Sequence, residues 1–291
     1  TVRSIIGVEP RRGSMDRRGL LGDRYTDPDG DALPNTDDDA VRDSLRRESR
    51  LHLGSPYKLY TRYRFRYRNN VSLGITAEKD EGEEFFRGTQ TKGFDFYSAH
   101  FFLRGFGRLK ALAIGDYQAQ FGLGLTYWSG LAFASKSSFS LNVKRNATGI
   151  VPYTSVNENL FNRGVAATVE VMKHVDVTAF YSNKGIDGNV AQEVDTSDVD
   201  VQEVSFSSFQ EDGYHRTFNE LAKKDAIREQ VFGGHVRYRR NNFSIGATGA
   251  HIRFDVPLSR NAQPYNQFEF NGQQNTTVGS DFSWLFRNAS F

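Results

Sequence analysis

The stretch from residue 57 to residue 67 alternates between two kinds of side chain almost without interruption. Its odd positions carry Tyr, Leu, Thr and Phe, and its even positions carry Lys, Tyr and Arg. A period of two residues is the signature of a β-strand, whose successive side chains point to opposite faces of the sheet. The length of the stretch matches the roughly 9–11 residues that a tilted strand needs to cross a bilayer.

Similar segments recur along the chain and are separated by connections of two different lengths. We predict further strands at about 71–78, 94–104, 109–121, 161–172, 175–182, 230–239, 243–255 and 276–286. Tight turns at 68–70, 105–108, 173–174, 240–242 and 287–289 alternate with long connections at 80–93, 122–160, 183–229 and 256–275. The tight turns are rich in Asn, Gly, Arg and Lys, which suits positions of positive φ. In strand 243–255 the apolar residues change face midway, which suggests a β-bulge there.

This rhythm predicts an all-β fold, an antiparallel up-and-down transmembrane β-barrel. Outer-membrane barrels have short periplasmic turns and long extracellular loops, whereas a soluble sandwich mixes loop lengths at both ends. We expect a bacterial outer-membrane location, with about nine to ten strands visible and the long connections outside the cell. Residues 1–56 are then a partial strand followed by an acidic extracellular loop, and residues 57–291 are a barrel segment incomplete at its C-terminal end. On this interpretation the chain is a piece of a longer exported protein.

The composition agrees with a barrel and excludes several other classes. Hydrophobic residues make up 38% of the 291 residues and aromatic residues 13%, as in a protein that spends one residue in two on an outer belt. No run of about 18 apolar residues occurs, so the chain is not a helical membrane protein. The absence of cysteine excludes disulfides and thiolate sites, and a net charge of +2 gives no general polyanion-binding signature.

The polar face of each predicted strand is the candidate lumen. We expect these lumen-facing residues to be Arg62, Arg64, Arg66, Glu78, Asp116, Gln118, Gln120, His235, Arg237 and Arg239. They could form a charged channel or binding surface, or they could be mutually paired charges that fill a barrel interior, which is polar whatever the function. The three arginines are the sharpest feature, because like charges on one strand face repel unless carboxylates or an anionic ligand compensate them.

An acidic segment near the N-terminus is a candidate calcium site. Asp27, Asp29, Asp31 and Asp37 lie around Gly30 at spacings that supply hard oxygen ligands to Ca²⁺. The segment is similar to the aspartate-rich calcium repeats of thrombospondin type 3, although it has one copy and no cysteines. The alternative is a solvated acidic loop.

Catalysis and nucleic-acid binding find little support in the residues. His100, His174, His235 and His251 are scattered, and no serine accompanies any of them in a recognisable motif, so we do not expect an enzyme. An outer-membrane hydrolase is the least favoured alternative. The Arg–Tyr interleaving of 62–68 places the two residue types on opposite faces, where they cannot combine stacking with phosphate binding.

Six segments carry a resemblance to a known family. They are Leu53–Arg64, Thr76–Phe86, Gly93–His100, Leu112–Tyr117, Pro152–Glu158 and Gln263–Phe268. Together they resemble the barrel portion of large Bacteroidetes-type outer-membrane proteins named for a helix-hairpin-helix (ComEA-like) domain. The resemblance covers roughly residues 50–291 and implies an outer-membrane barrel. No helix-hairpin-helix pattern is present in this chain, so a role with nucleic acid follows from the family name alone.

The functional expectation is a porin-like barrel with a polar lumen, acting in passage or in surface recognition of a solute or macromolecule. Its partners are the lipid bilayer and, as alternatives, other outer-membrane or periplasmic proteins. The leading rival is a barrel plugged by its own loops that serves as a scaffold or as a partner in secretion or DNA uptake.

Overall fold

The computed structural model describes residues 3–10, 52–130, 147–194, 202–260, 264, 267–286 and 289–290. The candidate calcium ligands Asp27, Asp29, Asp31 and Asp37 lie outside the described residues. Within these ranges, no helix has both the length and the hydrophobicity needed to cross a membrane.

The described residues are mostly in β-strands. The strands are β1 (Arg3–Pro10), β2 (Tyr57–Tyr67), β3 (Val71–Lys79), β4 (Phe96–Phe106), β5 (Leu109–Gln120), β6 (Gly149–Pro152), β7 (Asn162–Met172), β8 (Val175–Ile186), β9 (Gly188–Val194), β10 (Gln202–Phe209), β11 (Ile227–Arg240), β12 (Phe243–Leu258), β13 (Gly272–Phe286) and β14 (Ala289–Ser290). One helical turn, α1 (Phe218–Leu221), precedes β11.

The strands form one large, mostly antiparallel sheet. Its order β1-β2-β3-β4-β5-β7-β8-β11-β12-β13 follows the chain, apart from the inserted β6, β9 and β10. The all-β antiparallel prediction is therefore confirmed. In the described part of the chain the sheet is not closed: β1 pairs with β2 alone, and β14 with β13 alone.

The tight turns behave as their sequences predict. Arg68, His174 and Asn241 adopt positive φ, as do Gly105 and Gly107. These turns lie at one end of the sheet, which we call the short-turn end, and the long connections lie at the other, the long-loop end. Strand β2 has the predicted bounds, and most of the others differ from prediction by only a few residues at an end.

Two of the long connections contain structure that alternation alone did not indicate. The connection between β5 and β7 includes β6, which pairs with the end of β5. Within 183–229, β8 continues to Ile186 and is followed by the hairpin of β9 and β10. Phe206 of this hairpin is fully buried against Ile227, Phe254 and Leu258.

This hairpin explains the apolar switch in β12. Even-numbered residues of β12 face the same side from Gly246 to Leu258, so the strand does not change face midway. Instead, Phe254 turns inward to pack against the hairpin, while Phe243 and Ile245 lie on the opposite, exposed face. The register with β13 shifts only between Arg253 and Leu258.

Candidate functional site

The two faces of the sheet differ sharply, and cross-strand partners identify them because directly opposed residues share a face. One face, which we call the inner face, carries the buried pairs Thr76–Ser98, Ala113–Ala166 and His235–Thr248. The opposite, outer face carries exposed pairs such as Ile114–Val165. Among the described residues, as many polar or charged side chains are buried as hydrophobic ones.

The arginine triplet of β2 lies on the inner face. Arg62, Arg64 and Arg66 stand opposite Thr76, Gly74 and Ser72, which are buried. Arg62 and Arg64 are partly buried, and Arg66, near the short-turn end, is exposed. The alternating Tyr63, Phe65 and Tyr67 are exposed on the outer face.

Glu78 and the basic residues of β11 also lie on the inner face. The Glu78 carboxylate is buried and forms an ion pair with Lys58 at 2.5 Å. His235 donates to or accepts from the Thr248 hydroxyl at 2.8 Å. Arg237 pairs with Asp176 at 3.2 Å, and Arg239 is exposed near the turn. Most of these charges therefore have partners on neighbouring strands.

Strand β5 differs from the expectation based on polarity. Its inner face carries Tyr117 and Ala119, which belong to the apolar core, so the intervening Asp116, Gln118 and Gln120 lie on the other face. Loop residues bind the two glutamines: the Gln118 side-chain amide donates to the Leu160 carbonyl, and the Gln120 side-chain carbonyl accepts from the Thr148 hydroxyl. Asp116 is fully buried and binds the Arg163 guanidinium through both oxygens, at 2.8 and 3.0 Å. Polarity did not identify the inner face here because a chain segment fills that side with apolar contacts.

This segment, Phe121–Gly130, which we call the inner segment, runs across the inner face. The Phe121 ring stacks on the ring of His235, with centroids 4.7 Å apart. The Tyr127 ring stacks on Phe180, and its hydroxyl donates to Asn162 Oδ1 at 2.7 Å.

At its far side the inner segment reaches β13. The Thr277 hydroxyl donates to the Thr126 carbonyl at 3.1 Å. The approach is close enough that a Cβ at Gly279 would lie 2.2 Å from the Thr126 hydroxyl. The inner segment thus contacts strands from β7 to β13 across the inner face.

A second constellation ties the long connections together. The loop-end cluster consists of Glu83, Asp95, Glu158, Asp187, His215 and Lys224, contributed by the connections around β4, β7, β8 and β11. His215 is its centre: Nδ1 lies 2.5 Å from Asp95 and Nε2 lies 2.9 Å from Asp187. The His215 backbone N–H donates to Glu83 Oε1 at 2.9 Å.

Residues that follow His215 in the sequence hold it in place. Thr217 and Glu220 form a reciprocal capping box at the start of α1, in which each side chain accepts a hydrogen bond from the other residue's backbone N–H. Arg216 pairs with Glu220 at 2.9 Å, and its carbonyl accepts from the Leu53 N–H. Lys224 Nζ binds Asp95 Oδ1 at 2.5 Å.

Burial and pairing set the protonation of the cluster. Burial opposes a charge on His215, but hydrogen bonds to Asp187 and Asp95 outweigh it and raise the His215 pKa to about 10. Burial and the Asp95 charge raise the pKa of Glu83 to about 7, and burial raises that of Glu158 to about 9. For Asp95, His215 and Lys224 outweigh burial and lower the pKa. The arrangement is therefore a cationic histidine held between two aspartates.

The cluster also contains donors of the kind that bind metals. Glu83, Asp95 and His215 bring ligand atoms within 4.8 Å of one another, as do Glu158, Asp187 and His215. However, both ring nitrogens of His215 already bond carboxylates, and Lys224 provides a further cation at Asp95. The geometry fits a buried ion-pair network that joins the long connections.

Sequence reasoning missed this cluster. Its six residues come from positions 83 to 224, and no fixed spacing relates them. Only the fold brings them together. His215 is not among the four histidines considered above as candidates for catalysis.

No protein-family model, curated protein or solved structure matches this chain.

Proposed function

We propose that this chain forms the wall of a bacterial outer-membrane β-barrel whose interior is plugged by its own inner segment. The barrel serves as a membrane-held scaffold that presents the long-loop end for surface recognition. The observation that carries the proposal is the reverse of the polarity usual in soluble proteins. Polar side chains are buried on the inner face of the sheet, and large apolar side chains are exposed on the outer face.

The outer face is apolar where it is most exposed. Val278, Phe282 and Trp284 of β13 are 81%, 62% and 47% exposed, and Phe232 and Val236 of β11 are similarly uncovered. A soluble protein rarely leaves a contiguous surface of this kind uncovered. Lipid is the solvent for which such a surface is suited, and the inner face can then remain polar.

The inner segment favours a plugged barrel over an open passage. Its contacts with Asn162, Phe180, His235 and Thr277 extend over four strands of the inner face. The loop-end cluster adds a second layer of contacts that tie the long connections to each other. A scaffold with a rigid outer surface requires both features, whereas an open pore requires neither.

Fractionation and conductance test the two parts separately. We expect the full-length protein to fractionate with the outer membrane and to migrate faster on gels when unboiled, as folded barrels do. Purified and inserted into planar bilayers, it should give no steady ionic current. Recovery in a soluble fraction would contradict the membrane proposal, while a steady current would contradict the plug and favour passage.

A further inference from the structure

The outer face has a cleft at the short-turn end, between the turn that joins β11 to β12 and the end of β13. Its volume is about 390 Å³, and Tyr238, Arg240, Asn241, Asn242, Phe243 and Trp284 contribute to its lining. Aromatic rings thus stand beside one guanidinium and two amide side chains. None of the functions discussed above uses this cleft.

The register of the strands sets the order of these groups along the strands. Arg240, Phe243 and Trp284 form one row across three strands, because Phe243 stands opposite both of the others. The next row toward the middle of the sheet is Tyr238, Ile245 and Phe282. Rows on one face are about 7 Å apart, since each residue advances a strand by about 3.4 Å. The cleft therefore places a cation at the rim and continuous apolar surface directly below it.

The surroundings of the cleft are strongly positive. Six exposed cations lie at this end without an ion pair among the described residues: Arg68, Arg104, Arg108, Lys173, Arg239 and Arg240. The nearby carboxylates Glu170 and Asp176 are already paired, with Lys110 and Arg237 respectively. The six cations therefore have no carboxylate partner among the described residues, and the short-turn end attracts anions from outside the chain.

We propose that this cleft binds the headgroup of an anionic phospholipid, with Arg240 and the turn amides at the phosphate and the acyl chains along the Ile245 and Phe282 row. The inference rests on the proposed membrane location of the outer face. An aromatic and cationic rim above an apolar face complements a lipid that is charged at one end and apolar along the rest. A soluble phosphate would leave the apolar rows uncovered.

Trp284 provides a direct reporter, because the chain has only two tryptophans. In a Trp128→Phe background, Trp284 is the single tryptophan of this chain, and excitation selective for tryptophan reports on it alone. Protein is reconstituted into vesicles of fixed composition, phosphatidylcholine with a minor share of phosphatidylglycerol. The brominated acyl chains, which quench nearby tryptophan, are carried either by the phosphatidylglycerol or by an equal amount of the phosphatidylcholine.

We expect brominated phosphatidylglycerol to be enriched at Trp284 about fivefold over brominated phosphatidylcholine, the factor for one basic residue at an anionic surface. Arg240→Gln should abolish the preference. Arg228→Gln is the matched control, since Arg228 is an exposed arginine on the outer face at the other end of β11; this change should leave the preference intact. Unboiled gel migration verifies that each variant is folded.

Each other outcome has a definite meaning. Equal quenching by the two lipids would overturn the headgroup site and leave the membrane proposal standing. A preference that survives Arg240→Gln would also overturn the assigned site. Absence of quenching by either lipid would show that Trp284 does not face lipid, which contradicts the proposed function itself.

Discussion

At the scale of single residues, His215 is the most consequential side chain in the structure. Its ring is about 1% exposed and joins two aspartates from different connections. Removing one partner of a buried ion pair leaves an uncompensated buried charge, which is more costly than losing a surface contact.

We therefore expect His215→Asn to lower the free energy of unfolding by about 3–5 kcal/mol. His174→Asn is the control, because His174 is an exposed turn histidine at positive φ, where Asn is well tolerated. Urea unfolding in detergent micelles measures both. Equal stability of the two variants would mean that the loop-end cluster contributes nothing to the fold.

The same cluster predicts how stability depends on pH. The His215 pKa is raised from 6.5 to about 10, so its contribution is complete below pH 6.5 and is lost as pH rises toward 10. Glu83 and Glu158 have pKa values raised from 4.5, to about 7 and about 9, and their contributions also fall as pH rises. The pKa of Asp95 is lowered, so its contribution to stability is lost only as the solution becomes acidic.

The thermal midpoint of unfolding should therefore decline between pH 6.5 and 10. The decline should be smaller in His215→Asn, which lacks the main titrating group. A midpoint that rises over this range would show that the histidine is not held as a cation.

At the scale of elements, alternation of side chains predicts the wall but not what lies against it. Strand β2 could be bounded from sequence because its exposed aromatics and inner arginines alternate strictly. The hairpin of β9 and β10 could not, because it is held by long-range packing of Phe206 against Phe254 and Leu258. The inner residues of β5 were missed for a related reason: Ala111, Ala113 and Ala119 are small and apolar where another segment packs on them.

The plug prediction concerns the inner segment. Tyr127→Ala removes both the stacking on Phe180 and the hydrogen bond to Asn162. We expect this variant to show intermittent current in planar bilayers where the parent protein shows none. Leu125→Ala, at a position 90% exposed in the same segment, should behave as the parent does. Silence of the Tyr127 variant would indicate that other contacts keep the interior closed.

The orientation of the two ends can be tested because the natural chain has no cysteine. A cysteine introduced at Glu211, exposed at the long-loop end, should react with a membrane-impermeant maleimide on intact cells. A cysteine introduced at Asn69, exposed in a tight turn, should react only after the outer membrane is permeabilised. The reverse pattern would place the long connections in the periplasm.

At the scale of the whole molecule, the question is whether water or lipid covers the outer face. If water covers it, Val278 is an ordinary exposed residue, and substitutions at such sites change stability by only about ±0.5 kcal/mol. If lipid covers it, an arginine at this position strongly lowers the stability of the protein. The same substitution thus has different consequences under the two descriptions, and the difference is large enough to measure.

We predict that Val278→Arg destabilises the protein by about 2–4 kcal/mol in a bilayer, the cost of an arginine near the midplane of a barrel's lipid face. Gln274→Arg is the matched control, because Gln274 lies on the same face of β13, two repeats of the alternation nearer the long-loop end, where the bilayer penalty decreases. Urea unfolding from phospholipid vesicles gives both values. Since Thr277 and Gly279 on the inner face are untouched by either change, a loss confined to Val278→Arg reports on the solvent outside the sheet, and equal stability of the two variants would mean that this face meets water.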